Sequence, residues 1–580
     1  MSTSGKLISV AIDFGTTFSG YAYSTKGDFK QDPAKVFAAN WSDGQGLITT
    51  KAPTAVLFRP DGSLSKFGYD AETEYASLVG DNAQEGWSYF RRFKMLLFHK
   101  KVTTTTTFRD ENGSSMNALK VVSAVIRYFK DKFLDDIQNK IKAITLDDIN
   151  WVLTVPAIWD DNAKEFMAMA AEEAGIPENR LILVYEPEAA ALFCKHTPFS
   201  KEALTGKEES IFSEGSKFMI IDLGGGTIDI TSHEVNCDGR LDALVEPSGG
   251  PWGGVLVDAK WYNLLEELFG SDVVNEFCED FTDKLDLDRV IEVKKRVIRP
   301  SETEFTRVKF PTLLFEIFAE KNGNMSFQQK LNNSKFENKV KYKRGSLEIL
   351  NKLLQETFCD SVSNMTAHVQ RELSREELKD IKTLILVGGF SESELVRNSI
   401  KASFPGYTLL MPQEASASVL KGAVIFGHCK DFIKSHKLPY SYGVSTTVPF
   451  DVNIHKEVFK TVMKNGSLMC NDIFHPLVRK GEKIVVEETT REELFRSPKP
   501  GMLHVEVDIY KIPQDVTPGS VLYTIDCKRV CTLNLAVENI QCDEKATVIV
   551  QMQFGGTRIE FSAKEFGTDN SVSCKPRWFP

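Results

Sequence analysis

The chain has 580 residues, which at roughly 150 residues per domain predicts about three to five folding units. Hydrophobic residues make up 42% and charged residues 26%, so collagen-like, coiled-coil and wholly disordered chains are excluded. Seventy Lys and Arg stand against 80 Asp and Glu, a net charge of −10 that disfavours broad binding to nucleic acid or an acidic membrane.

The first ten residues, Met1 to Val10, lack a basic stretch leading into a long apolar one, so no secretory signal is expected. No apolar run reaches the roughly 18 residues needed for a membrane span. The 10 cysteines are scattered from Cys194 to Cys574; the closest pair, Cys527 and Cys531, lacks a second pair or histidines to complete a zinc site. Buried thiols and a cytoplasmic location are the expectation.

From Leu7 to about Gly427 apolar strand-like runs alternate with helical patterns, which reads as α/β. Ile8-Ser-Val-Ala-Ile-Asp13-Phe-Gly15-Thr16-Thr17-Phe-Ser-Gly20 reads as a strand ending in Asp, a Gly/Thr turn and a returning strand. Val122, Ile126, Phe129, Phe133 and Ile137 form a 3.6-residue stripe, predicting a helix near 117–138. A second helix follows Trp151-Val-Leu-Thr-Val-Pro156, with caps among Asp160, Asp161 and Asn162 and a stop at Gly175 and Pro177. The hairpin design recurs at Phe218-Met-Ile-Ile-Asp222-Leu-Gly224-Gly225-Gly226-Thr227-Ile-Asp229. Glycine turns let backbone N–H groups cradle phosphate oxygens, and an Asp at the strand end suits a hydrated Mg²⁺. A single Asp-x-Gly is an ordinary turn, but two matched copies predict a duplicated fold closing on one nucleotide. Thr383-Leu-Ile-Leu-Val387-Gly388-Gly389-Phe-Ser391 adds a strand, a Gly-Gly turn and a helix start. After about Tyr440, short alternating segments such as Leu503–Ile509 and Ala546–Gln553 predict a β-sandwich-like module.

These motifs together resemble the heat shock protein 70 family, within the actin, sugar-kinase and chaperone ATPase superfamily. Asp13-Phe-Gly-Thr-Thr resembles its first phosphate motif, Asp222-Leu-Gly-Gly-Gly-Thr its second and Leu386-Val-Gly-Gly its adenosine motif. Tyr185-Glu186-Pro187-Glu188-Ala-Ala-Ala resembles its connecting motif. The Glu-Pro-Glu-Ala-Ala, Val-Gly-Gly-Phe and Phe-Lys-Met-Leu segments point to a divergent branch of that family.

The resemblance implies an actin-like duplicated ATPase domain over 1–427, a linker over 428–439 and a β-rich substrate-binding domain over 440–580, with no helical lid. It implies ATP/ADP and Mg²⁺ as cofactors, with Asp13 and Asp222 organising the metal. Backbone around Gly15, Thr16, Thr17, Gly224, Gly225 and Gly226 would hold phosphates, with a hydroxyl from Thr227. Lys94, Glu186, Asp229 and Thr227 would surround the attacking water in phosphoryl transfer. Glu292, Lys295, Arg296, Gly388 and Gly389 would contact the nucleoside. A solvated charge remains open for Lys94, and a plain basic amphipathic helix for Lys295 and Arg296.

Three departures stand out. Glu392 occupies the place of an Arg that stacks on adenine, Phe18 replaces a Tyr, and Glu188 replaces a Thr, adding negative charge near the expected metal. The linker, Cys429 to Pro439, is basic and polar where the main branch is leucine-rich, and the chain ends Arg577-Trp-Phe-Pro580 without the acidic tail that co-chaperones read. Weak coupling between nucleotide and substrate is therefore expected. Three functions remain open: a slowly ATP-hydrolysing chaperone-like protein with polypeptide clients and co-chaperones or exchange factors, a nucleotide-gated scaffold with vestigial hydrolysis, and a small-molecule kinase.

Overall fold

The structure is a computed structural model that describes residues 6–574, apart from 45, 47, 100–101, 139–140, 142–143, 200–210, 333, 464, 487–488, 498, 518–519 and 538–543. The first five residues and the terminal Arg577–Pro580 thus lie outside the described residues.

Two sheets are built alike. In the first, Ile8–Phe14 pairs antiparallel with Phe18–Thr25 and parallel with Ile149–Val155, which in turn pairs parallel with Leu181–Tyr185. In the second, Lys217–Leu223 pairs antiparallel with Ile228–Val235 and parallel with Thr383–Val387, which carries Thr408–Leu410 beyond it. Each sheet therefore has one hairpin at its centre and two parallel strands added on the same side. The central strands are buried along nearly their whole length, because helices cover both faces. That explains why they read as continuous apolar runs rather than as alternating ones.

On the outer face of the first sheet lies the helix Ala118–Gln138, with Val122, Ile126, Phe129, Phe133 and Ile137 inward as the stripe predicts. Beside it runs Asp161–Glu173, whose N-cap Asp160 accepts from the Ala163 amide. Two further helices, Glu186–His196 and Ser418–His428, fill the space between the sheets. They pack backbone to backbone: a Cβ on Gly422 would strike the Ala189 carbonyl group. The Ser9 hydroxyl donates to the Val424 carbonyl at 2.7 Å, and the Asn150 amide to the Gly427 carbonyl at 2.9 Å. These bonds fix the helix Ser418–His428 to the first sheet.

The segment joining the α/β part to the β-rich part is itself a strand. Ile433–Lys437 runs parallel to Leu241–Ala243 at the edge of the second sheet, and Lys483–Val485 pairs onto its other side. Beyond it, a five-stranded sheet centred on Ser441–Pro449 faces a four-stranded one made by Thr489–Arg496, Thr547–Gly555, Arg558–Glu565 and Ser571–Cys574. Val548, Val550, Met552 and Phe554 alternate inward against Tyr442, Leu533 and Phe561. Among the described residues after 440 no α-helix occurs, only two short 3-10 turns. No helix among the described residues is long and apolar enough to cross a membrane.

Candidate functional site

The two hairpin tips meet face to face. A Cβ on Gly225 would lie 2.8 Å from the Thr17 methyl, and one on Gly226 would lie 2.6 Å from the Thr16 hydroxyl. Only bare backbone fits there, which leaves a cradle of peptide groups between the lobes. The cleft so formed has a volume of about 280 Å³, and every predicted site residue except Asp229 lines it. Asp229 sits behind the lining: it accepts from the Ile158 amide at 3.0 Å and from the Thr227 hydroxyl.

Asp13 and Asp222 end the two central strands, across from Gly20 and Asp229 respectively. Both are buried. One Asp13 oxygen accepts from the Thr154 hydroxyl at 2.8 Å, and the other lies 2.5 Å from the Lys51 ammonium. Burial opposes ionisation of Asp13, but the Lys51 charge and its hydrogen bond outweigh it, and the carboxyl lies below its usual range. Asp222 has the opposite fate: burial, then the charges of Glu186, Asp229 and Asp13, push it well above its usual range. Glu186 is pushed up to about 7, chiefly by burial, with Lys94 opposing the shift.

Lys94 is 3% exposed and donates to Glu186 Oε1 at 2.7 Å, which removes the solvated-charge alternative. It is held on a 3-10 turn, Phe93–Met95, entered through Arg92 at φ +53°, and its ammonium also lies over the Trp159 ring. Glu186 stands where the strand Leu181–Tyr185 gives way to a helix. It is the first residue of the helix Glu186–His196, where a proline costs no hydrogen bond and a carboxylate faces the positive helix end.

On the nucleoside side, Lys295 is buried and bonded to Asp258 at 2.5 Å and Glu292 at 2.8 Å, so it is not part of a plain solvated helix face. Glu292 also accepts from Arg296 at 3.2 Å. Arg296 is half-exposed and reaches within 3.8 Å of Glu392. A guanidinium therefore borders this end of the cleft even though Glu392 stands where an Arg was expected. Gly388 has φ +83°, and a Cβ there would lie 2.5 Å from the Leu223 carbonyl oxygen, so the Gly-Gly turn presses directly on the second hairpin. Glu188 departs from expectation. It points away from the carboxylates and pairs at 3.2 Å with His436 of the joining strand, adding no charge at the metal position.

Sequence reasoning missed Lys51, Thr154 and Asp258. Lys51 and Asp258 look like surface residues in one dimension, and only the pairing of distant strands and helices brings them in.

The residues suit a nucleotide with a hard divalent cation. The backbone cradle would close if the glycines carried side chains, and four mutually repelling carboxylates face two lysines. Among the described residues no three His, Cys, Asp or Glu side chains converge to ligate a metal directly, so a cation here would be held largely through its waters and phosphate oxygens.

Duplicated sheets with glycine hairpins opening on one cleft define a two-lobed, actin-like α/β protein with an appended β module. The chain belongs to the Hsp70 family: the family model described as Hsp70 protein matches residues 91–550. It is 29% identical to human heat shock 70 kDa protein 12A, over 98% of this chain and 90% of that protein. It is also 29% identical to human heat shock 70 kDa protein 12B, over 97% and 90%. Chaperone protein dnaK of Cyanidium caldarium is 28% identical over 51% of this chain and 42% of its own length.

Proposed function

We propose that this protein binds ATP and ADP with Mg²⁺ between its lobes, hydrolyses ATP slowly, and acts as a cytoplasmic chaperone-like protein holding polypeptide or protein partners on its β module. The observation that carries this reading is the meeting of two glycine hairpins over Asp13, Asp222, Glu186 and Lys94. Bound Mg²⁺ would supply charge neutralisation and orientation of the phosphate chain. Backbone amides of Thr16, Thr17, Gly225 and Gly226 bind phosphate oxygens, the Gly15 and Gly224 amides being spent on Ser19 and Thr227 within the hairpins, while Glu292, Lys295, Arg296, Gly388 and Gly389 form the nucleoside end. Glu186, with its carboxyl near 7 and bonded to Lys94, orients a water and accepts its proton. The Thr227 hydroxyl donates to Asp229, which leaves its oxygen to accept from the attacking water.

One observation favours a second reading, a nucleotide-gated scaffold with vestigial hydrolysis: both Asp13 oxygens are already engaged, by Thr154 and Lys51. Turnover measured with and without unfolded polypeptide separates the two. Calorimetry with ADP and ATP, with and without Mg²⁺, tests the shared premise; no binding at millimolar nucleotide sinks both. Binding should also raise thermal stability, by about 2.7 kcal/mol at a hundredfold excess over Kd.

A further inference from the structure

Lys51 lies between the short strands Ile48–Thr49 and Ala52–Pro53, outside every glycine motif of the chain. Ala52–Pro53 pairs with the start of the first hairpin, through Ser19 and Phe18, and the Thr49 hydroxyl donates to the Lys51 carbonyl at 2.7 Å. The backbone of Lys51 is thereby fixed against the hairpin whose other strand carries Asp13. Its side chain is admitted by one residue. Gly20 is the register partner of Asp13, and a Cβ there would lie 2.8 Å from the Thr50 carbonyl oxygen and 3.2 Å from Lys51 Cγ. With no Cβ in the way, the lysine stem crosses the hairpin and sets its ammonium on Asp13 Oδ2.

The charge pattern gives this contact a purpose. Asp13, Glu186, Asp222 and Asp229 interact with one another, and the lysines among them are Lys51 on Asp13 and Lys94 on Glu186. Fully ionised, that set carries two more negative than positive charges, the amount one divalent cation cancels. Without Lys51 the excess would be three, facing a polyanion across a few ångströms of poorly screened space. Lys94 is buried, whereas the Lys51 side chain is 18% exposed on a flexible four-carbon stem, so its ammonium can shift within the cleft.

We infer that Lys51 is a phosphate-binding cation of this cleft: when no divalent metal is present it neutralises Asp13 and draws in the phosphate chain, a role the metal takes over when it is bound. The protein should then hold nucleotide with less dependence on divalent metal than its carboxylates alone would allow. The inference rests on the nucleotide-binding reading above.

The test is ADP titration calorimetry on the full chain, in excess Mg²⁺ and in EDTA, for the wild type, Lys51→Met and Lys51→Arg. The ratio of the two dissociation constants is the readout. Lys51→Met keeps the stem against Gly20 but removes the charge; it should raise the ratio at least about tenfold, mainly through weaker binding in EDTA. Lys51→Arg should restore it. A ratio unchanged in Lys51→Met, whatever its melting temperature, overturns the inference and leaves a merely structural ion pair. Should that variant fail to fold, Lys51→Gln carries the same comparison, since its amide still donates to Asp13. A wild type that binds ADP in neither condition overturns the nucleotide reading itself, and this inference with it.

Discussion

Lys94 and Glu186 stand 92 residues apart in the chain and meet at 2.7 Å inside the cleft. Without Lys94 the Glu186 carboxyl rises further and is neutral at pH 7, so Lys94→Met should cost about 1–3 kcal/mol through a lost hydrogen bond rather than an unpaired charge. Lys94→Met with Glu186→Gln should recover little of that loss, and denaturant unfolding of the two single variants and the double one measures the coupling. Asp13 and Thr227 separate binding from turnover. Asp13→Asn should weaken Mg²⁺-dependent nucleotide binding, because it removes a carboxylate that the metal's waters need. Thr227→Ala should leave binding close to wild type and slow turnover, because its hydroxyl is held by Asp229 beside the phosphate cradle. Equal, small effects in both variants would mean that the cleft does no phosphate chemistry.

At the scale of elements, the first turn of the helix Glu186–His196 is a connector. Glu186 faces the cleft, while Glu188, two residues on, bonds His436 of the joining strand. Burial pushes the Glu188 carboxyl well up and the His436 imidazole down to about 3, so it favours the uncharged form of both partners. His436 also packs edge-on to Tyr185 and against Phe554 of the β module. Glu188→Gln, whose amide can still donate, should cost under about 1 kcal/mol; Glu188→Ala should cost about 1–3 kcal/mol, by leaving a buried imidazole unsatisfied. Hydrogen exchange at Ile433–Lys437 checks this, since faster exchange in the alanine variant alone marks a loosened strand.

For the whole molecule, the β module is seated on the helix Asp161–Glu173 through buried charge. Asp161 accepts from the Tyr442 hydroxyl at 2.6 Å and from Lys511 at 2.9 Å, and Arg558 grips both oxygens of Glu165. The Thr557 hydroxyl reaches the Leu183 carbonyl oxygen at 3.2 Å. Burial raises the Asp161 carboxyl, but Lys511, Lys164 and Tyr442 win and hold it at about 2. A carboxyl depressed in the folded state stabilises above its unfolded value of about 4, and that stability is lost as pH falls through 2. The stake is about 2 kcal/mol. Thermal melts between pH 5 and pH 2 should therefore fall more steeply in the wild type than in Asp161→Asn, which should already be less stable at neutral pH. Parallel curves would show that Asp161 does not set the acid limit. The same seat bears on coupling. Weak coupling is the expectation from the linker's composition, yet a linker strand in the sheet and a module bonded to the first lobe are contacts that two nucleotide states can make differently. Anisotropy of a labelled unfolded polypeptide, titrated in ATP and in ADP, decides between them: a shift well above tenfold assigns the coupling to this docked strand.

Local chemistry made much of this protein legible in one dimension. Both glycine hairpins, the helix stripe from Val122 to Ile137, the Asp160 cap and the alternation in Thr547–Gly555 rest on turn geometry and side-chain periods that act over a few residues. The Asp residues ending the two hairpin strands likewise announced themselves by position. What only the tertiary structure decided lies in the directions of side chains and in distant pairings. At about 100° per residue, Glu186 and Glu188 leave their helix on opposite sides, so neighbours in sequence serve the cleft and the joining strand separately. Lys51 reaches Asp13 because a strand pairing and the missing Cβ of Gly20 admit it, and Asp161 becomes a seat for Tyr442 and Lys511 only once the β module folds back on the first lobe. Such contacts form by closing long loops of chain, and no local period records where those loops will close.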